Sequence, residues 1–154
     1  ERIPEVALKR IREGVETIDT PTLFEGRKAV LFAVPGAFTP TRSERHLPGF
    51  TEHFEAFRAR GVEVFCVSVN DPFVMQAWGN SQEVPDGLQM LADGNADLTR
   101  ALGLEMDASG YGMGVRSKRY ALYAEDGVVK ALWVESPGEF KVSSAEHVLE
   151  NLPG

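Results

Sequence analysis

The sequence is poor in the residues that build disulfides and metal sites. It contains one cysteine, Cys66, and three histidines among its 154 residues. A single cysteine excludes a disulfide within the chain and fits a reducing compartment. The histidines are His46, His53 and His147, and none stands at zinc-ligand spacing from the cysteine. We therefore expect neither a metal ion nor an organic cofactor.

Positive charge and long apolar runs are also scarce. The chain has 16 Lys and Arg against 23 Asp and Glu, which gives a net charge of −7, so nucleic acid is not an expected partner. No apolar run approaches the roughly 18 residues of a membrane span, and no signal-peptide pattern opens the chain. We expect a cytoplasmic protein, or an organellar one if a targeting segment was trimmed ahead of Glu1.

Repeats, low-complexity tracts and flexible linkers are absent, so residues 1–154 are expected to form a single domain. The continuous apolar runs at 28–34 and 62–69 predict two buried strands. Residues 43–60 predict the main helix, kinked by Pro48. Asn70-Asp71-Pro72 predicts the start of the next helix, because a capping side chain precedes a proline.

The remaining segments complete an alternation of strands and helices. They predict a hairpin over 7–18, a short helical turn over 20–26, a loop at 82–87, a strand at 88–92, a helix at 96–102, a mobile loop or wide turn at 107–115, a hairpin over 119–135 and a last helix capped by Ser143 and Glu146. This order predicts an α/β fold with a mixed central sheet flanked by helices, and by itself leaves a flavodoxin-like sheet open.

The segment from residue 34 to residue 43 carries the functional signal. The chain leaves a strand, turns through Pro35 and Gly36, and enters a helix near Arg42. Backbone N–H groups and the positive end of a helix dipole then converge at one place. Such a place favours an anion, whether a thiolate, a carboxylate or a phosphate.

This segment resembles the active-site loop of the peroxiredoxins, in which a proline, a threonine four residues later and a cysteine three residues after that follow one another. Pro35 and Thr39 stand at the matching spacing. Residues 43–50 resemble the type II, peroxiredoxin-five-like branch. Further matching blocks at 66–75, 91–94, 116–120 and 143–146 follow in family order. The resemblance implies the thioredoxin-like fold, among the α/β alternatives.

The resemblance also implies roles for four residues, and one of them departs from the family. Pro35 would shield the site from water, Thr39 would hydrogen-bond peroxide, and Arg119 would be the second site arginine. Arg42 stands where the family carries its peroxide-reducing cysteine. An arginine stays protonated and offers no lone pair to a peroxide. We therefore expect a thiol-peroxidase scaffold that is catalytically impaired or dead.

Partners follow from the same resemblance. The family reduces hydrogen peroxide and alkyl hydroperoxides, with glutaredoxin and glutathione or with thioredoxin as the reductant. A homodimer is implied, paired through the face around the loop, with Phe38 and Trp78 as candidate contacts, although either could equally belong to the core. We expect the side chain of Arg42 to point away from the pocket, or the pocket to hold an anion.

Two further hypotheses stay open beside the peroxidase scaffold. The chain is alternatively a non-enzymatic pseudo-peroxidase that binds an anion or a protein partner. In a third hypothesis, Cys66 is an exposed reactive thiol, although its place within an apolar strand favours a buried and inert one. His46 is expected to cap or pack near the loop rather than to catalyse.

Overall fold

The computed structural model describes residues 2–39, 43–137 and 139–152. Its strands are β1 (Ala7–Ile11), β2 (Val15–Asp19), β3 (Lys28–Ala33), β4 (Val62–Ser68), β5 (Gln89–Ala92), β6 (Glu105–Asp107), β7 (Val115–Ser117), β8 (Tyr120–Glu125) and β9 (Val128–Val134). The helices are α1 (Thr20–Phe24), α2 (Ser43–Glu52), α3 (Phe54–Ala59), α4 (Pro72–Ser81), α5 (Asp97–Leu102) and α6 (Ala145–Asn151).

Seven of the strands form one mixed sheet, in the order β2-β1-β5-β4-β3-β8-β9. The central strands β3, β4 and β5 run parallel, and β8 pairs antiparallel with β3. Because parallel strands end at the same edge, the segments that follow β3 and β4 leave the sheet side by side. The predicted mixed α/β architecture is confirmed.

Both faces of the sheet are buried, which explains why β3 and β4 are continuously apolar. On one face Phe32 of β3 stacks on Phe50 of α2, with ring centroids 4.1 Å apart. Phe50 in turn stacks on Phe57 of α3, with centroids 5.5 Å apart. The aromatic spacing in the sequence therefore predicted the buried face of this helical region correctly.

The predicted helix over 43–60 is two helices in the structure. Pro48 lies inside α2, but the division comes later, at His53, which has φ −96° and ψ 10°. The Ala56 amide bonds to the His53 carbonyl three residues back, at 3.0 Å, and this tighter turn separates α2 from α3.

The predicted capping box at Ser143 and Glu146 is wrong. Ser144 is the N-cap of α6, and its side chain accepts a hydrogen bond from the His147 amide at 3.2 Å. Ser143 is unavailable for capping because its hydroxyl donates to Glu135 at 2.7 Å.

The segment 107–115 forms the wide turn between two short antiparallel strands, β6 and β7, so the predicted wide turn is confirmed. Asp107 at the end of β6 faces Val115 at the start of β7. A turn of 3-10 helix, Ser109–Tyr111, joins the two strands, and the Asp107 side chain accepts from the Ser109 amide at 2.9 Å. Among the described residues, no helix is both long enough and apolar enough to cross a bilayer.

Candidate active site

The loop that follows β3 is held by groups at the end of β4. The Val34 amide donates to the Val67 carbonyl at 3.2 Å. Further along, the Ala37 amide donates to the side-chain oxygen of Asn70 at 2.9 Å, and the Ser68 hydroxyl donates to the same oxygen at 2.7 Å. The loop therefore takes its shape from the neighbouring strand as well as from its own residues.

Gly36 lies at a crowded point of this loop. A Cβ atom there would stand 2.9 Å from Cγ2 of Thr39, and 3.2 Å from both Nη1 of Arg116 and Cε of Met113. The hydroxyl of Thr39 donates to the Gly36 carbonyl at 2.6 Å. Phe38 adopts a left-handed backbone with φ 61° and leaves 55% of its surface exposed.

Arg42 lies outside the described residues. The two expectations for its side chain, that it points away from the pocket or that an anion occupies the pocket, therefore stay predictions. What the structure describes is the loop as far as Thr39 and the helix that begins at Ser43.

Arg119 stands at the other side of the site, directly before β8. Its Nη1 lies 3.1 Å from Nδ1 of His46, and its guanidinium lies 5.9 Å from the centre of the Phe140 ring. The Arg119 carbonyl accepts a hydrogen bond from the Glu135 amide at 2.9 Å. Both the main chain and the side chain of this arginine are therefore anchored.

Pro35 and Arg119 border one cavity of about 400 Å³. Its walls are largely apolar, with a few charged groups among the lining residues. The lining residues are Pro35, Met106, Tyr111, Lys118, Arg119, Glu135, Ser136, Pro137 and Glu139. The structure thus brings together two of the four predicted site residues, while Thr39 directs its hydroxyl at the loop's own backbone.

His46 lies fully buried between this cavity and the aromatic core. Its ring contacts Phe32, Phe50 and Phe140 at centroid distances of 4.9, 5.6 and 5.0 Å. Its Nε2 lies 2.8 Å from the Ser143 carbonyl. A carbonyl only accepts, so the proton sits on Nε2, and Nδ1 accepts from Arg119.

The charge state of His46 follows from this environment. Burial first, and then the positive charge of Arg119, lower the pKa of His46 to about 3, against the hydrogen bond to the Ser143 carbonyl. The ring is neutral at physiological pH. The packing role predicted for His46 is confirmed, and its bond to Arg119, which the sequence analysis missed, is added to it.

Two other expectations are decided by burial. Cys66 is fully buried in β4, and burial raises the pKa of its thiol, so the buried thiol is confirmed and the exposed one is wrong. Trp78 is 1% exposed and belongs to the core, so it is not a dimer contact, whereas Phe38 remains on the surface. Within residues 2–39, 43–137 and 139–152, no cluster of three or more metal-ligating side chains occurs.

Comparison with known proteins agrees with this geometry. The family model described as Redoxin matches residues 1–149. Peroxiredoxin-2B of Arabidopsis thaliana is 48% identical over 141 residues, covering 91% of this chain and 87% of the relative. The chain belongs to the peroxiredoxins. Peroxiredoxin-2E-2, chloroplastic, of rice is 56% identical over 142 residues, covering 90% of this chain, and the chain spans 63% of that relative's length.

A solved peroxiredoxin structure supports the same assignment. Reduced Prx3 of Vibrio vulnificus in complex with H₂O₂ superimposes with a TM-score of 0.94 at 50% identity, covering 99% of this chain and 97% of that chain. The thioredoxin-like fold, with its mixed central sheet flanked by helices, is confirmed.

Proposed function

We propose that this chain is a peroxiredoxin scaffold in which Arg42 occupies the position of the peroxide-reducing cysteine, so that it does not reduce peroxides as it stands. The observation that carries the proposal is the shared cavity of Pro35 and Arg119 beside the loop that leads to residue 42. The chain spans 1–154 as one peroxiredoxin domain in this proposal.

The loss of activity follows from the chemistry of the missing group. A cysteine thiolate attacks the O–O bond of a peroxide, and the new sulfur–oxygen bond gives a sulfenic acid while water or an alcohol leaves. A guanidinium cannot make this attack, since it remains protonated and acts as a donor alone. Cys66 cannot replace it, because it is fully buried and its thiol pKa is raised.

The rest of the site is suited to a peroxide. Arg119 contributes a fixed positive charge at the cavity, Pro35 contributes an apolar wall, and the hydroxyl of Thr39 becomes a donor to peroxide when it leaves the Gly36 carbonyl. The proposed substrates are hydrogen peroxide and alkyl hydroperoxides. The Vibrio vulnificus relative, whose solved complex contains H₂O₂, supports the first of these.

The proposed reductant is glutaredoxin with glutathione, or thioredoxin, and the proposed assembly is a homodimer. Phe38 supports the dimer, because an exposed aromatic side chain beside the site offers an apolar contact. A reducing compartment, the cytoplasm or an organelle, suits the single free thiol.

Restoring the missing nucleophile tests the proposal. Peroxide consumption is measured for the chain and for its Arg42→Cys variant, with glutathione and glutaredoxin supplied. We expect turnover from the variant alone. The rate of peroxide consumption should rise on the order of 10³-fold or more, because the loss of a catalytic nucleophile in other enzymes lowers kcat by at least this much. Turnover by both proteins would show that another group does the chemistry, and turnover by neither would show that the cavity no longer supports it.

A second candidate function is anion binding without catalysis. It is favoured by two cationic side chains, Lys118 and Arg119, on a cavity with apolar walls. Two carboxylates border the same cavity, but both are engaged: Glu135 accepts from residues 141–143, and Glu139 pairs with Lys141 at 2.7 Å. Such a cavity suits an aromatic or aliphatic carboxylate. Calorimetric titration with benzoate distinguishes this function: saturable binding that Arg119→Ala abolishes supports it, and an absence of binding heat argues against it.

A further inference from the structure

Glu135 is a buried carboxylate directly after β9, at the base of the candidate active site. It is 7% exposed and borders the cavity. Its carboxylate accepts from the amides of Lys141, Val142 and Ser143 at 2.7–2.9 Å, and from the Ser143 hydroxyl at 2.7 Å. Converging donors of this kind fix both the carboxylate and the chain that supplies them.

The segment fixed by Glu135 leads straight to the site. Ser143 directs its amide and hydroxyl at Glu135, and its carbonyl accepts from Nε2 of His46 at 2.8 Å. That bond selects the tautomer of His46 in which Nδ1 is an acceptor. Nδ1 is the atom that receives Nη1 of Arg119 at 3.1 Å.

Glu135 also holds Arg119 by a second route. Its own backbone amide donates to the Arg119 carbonyl at 2.9 Å. Glu135 therefore acts on Arg119 in two ways. Its amide holds the Arg119 main chain directly, and its carboxylate acts through Ser143 and His46 on the acceptor for the Arg119 guanidinium. The two routes close a ring of contacts around the arginine.

We propose that Glu135 is a positioning residue for Arg119. It orients Ser143, whose carbonyl fixes the Nε2–H tautomer of His46, and this tautomer holds the guanidinium at the cavity. The proposal rests on the proposed role of Arg119 in the site, but the positioning itself does not depend on peroxidase activity.

The charge of Glu135 is the physical basis of this role. Burial raises the pKa of its carboxyl, but the hydrogen bonds from the Ser143 side chain and from the three amides outweigh burial and lower the pKa. The group is therefore ionised at neutral pH. Its replacement by a neutral amide would place an N–H₂ group among donors and release the segment.

Asp93 provides a matched control within the same molecule. It is likewise buried, at 3% exposed, and accepts from the amides of Leu98 and Thr99 and from the Thr99 hydroxyl. The hydrogen bonds of its carboxylate come from the first turn of α5 and not from the segment that contacts His46. Asp93→Asn therefore perturbs a similar network elsewhere.

The experiment reads the tautomer of His46 directly. Two-bond ¹H–¹⁵N correlation spectra are recorded for the chain and for Glu135→Gln, Ser143→Ala and Asp93→Asn. We expect a pure Nε2–H pattern in the parent and in Asp93→Asn, a mixed or exchange-broadened pattern in Glu135→Gln, and a smaller change in the same direction in Ser143→Ala. Ser143→Ala keeps the test decisive if Glu135→Gln fails to fold.

The same variants are assayed in the Arg42→Cys background. We expect Glu135→Gln to lower kcat/KM for peroxide about ten- to hundredfold, as misplacement of a site group does, and Asp93→Asn to leave it within about twofold. Glu135→Asp, which keeps the charge, should recover part of the loss.

The outcomes separate this inference from the proposed function. An unchanged His46 pattern in folded Glu135→Gln, or in folded Ser143→Ala if Glu135→Gln does not fold, or an equal change in Asp93→Asn, would overturn the positioning role. If the Arg42→Cys variant has no peroxidase activity but the Glu135→Gln and Ser143→Ala variants show the expected tautomer changes, the proposed function is overturned and the positioning role remains supported.

Discussion

Two connections leave neighbouring parallel strands at the same edge of the sheet, and they are built on different principles. Residues 69–71 join β4 to α4, and Asp71 caps the helix by accepting from the Val74 amide at 2.8 Å. Residues 34–42 join β3 to α2, and the described part contains a crowded glycine and Phe38 at φ 61°. The first connection is held by its own Asp71 side chain. The second is held both by its own Thr39 hydroxyl, which donates to the Gly36 carbonyl, and by Asn70 of the neighbouring connection.

The short connection supports the long one. Asn70 accepts from the Ala37 amide at 2.9 Å and so links the two. The fourth residues of the two helices differ as well, since α4 buries Met75 there and α2 buries His46. The helix that follows the long connection thus buries a polar, titratable side chain where the other helix buries an apolar one. The candidate site lies beside the helix with the titratable side chain.

The largest expected effect concerns His46, and it appears as a dependence of stability on pH. Its pKa is lowered to about 3 in the folded chain against about 6.5 when unfolded, so unfolded chains bind the proton first. The contribution of His46 to the free energy of unfolding is fully present above pH 6.5 and is lost as pH falls toward 3. The loss is on the order of 3 kcal/mol by about pH 4. Urea unfolding at several pH values measures this loss.

A substitution at His46 isolates this contribution from that of the carboxylates. His46→Gln should show a shallower loss of stability over the same range. Parallel curves for the parent and His46→Gln would contradict the account.

The next effect concerns Gly36. In the Arg42→Cys background, Gly36→Ala should lower peroxidase activity about a hundredfold, because the new Cβ displaces Thr39, Arg116 or Met113 from the loop. Steady-state kinetics measure the change. Gly14→Ala is the control, since a Cβ there would meet no described atom within 4 Å. Equal activity in both variants would show that the crowding has no functional consequence.

The smallest effect belongs to the short connection. Asp71→Ala removes the N-cap of α4 and should lower the free energy of unfolding by about 1 kcal/mol. Because Asn70, and not Asp71, bonds to the long connection, kcat/KM in the Arg42→Cys background should stay within about twofold. A large loss of activity with little loss of stability would reverse the roles assigned to the two connections.

The contrast between the connections also explains what could be predicted from the sequence. The Asp71 cap and the strands β3 and β4 depend on capping and apolar patterning among residues close together in the chain. They could therefore be predicted from the sequence. The bond from Arg119 to His46 joins residues 73 positions apart, and no spacing rule anticipates it. Whether Trp78 lies in the core or on the surface could not be predicted, because helical periodicity does not say which side of a helix meets the core.

The caps of the last helix show the same limit. Ser143 and Ser144 are chemically identical candidates for the N-cap, and the choice depends on Glu135, which lies eight residues before Ser143 and takes its hydroxyl. A tertiary contact therefore decided a local feature. The site's polar network was hidden from the sequence for this reason, whereas the roles of its proline, threonine and arginine are predictions that come from resemblance.

The central claim is that residue 42 holds the position of the peroxide-reducing cysteine. The direct measurement is to treat the Arg42→Cys protein with one equivalent of hydrogen peroxide, trap sulfenic acid with a cyclic 1,3-dione, and locate the adduct by mass spectrometry. The account predicts an adduct at position 42 with Cys66 unmodified. An adduct at Cys66, or none at position 42 while peroxide is consumed, would contradict it.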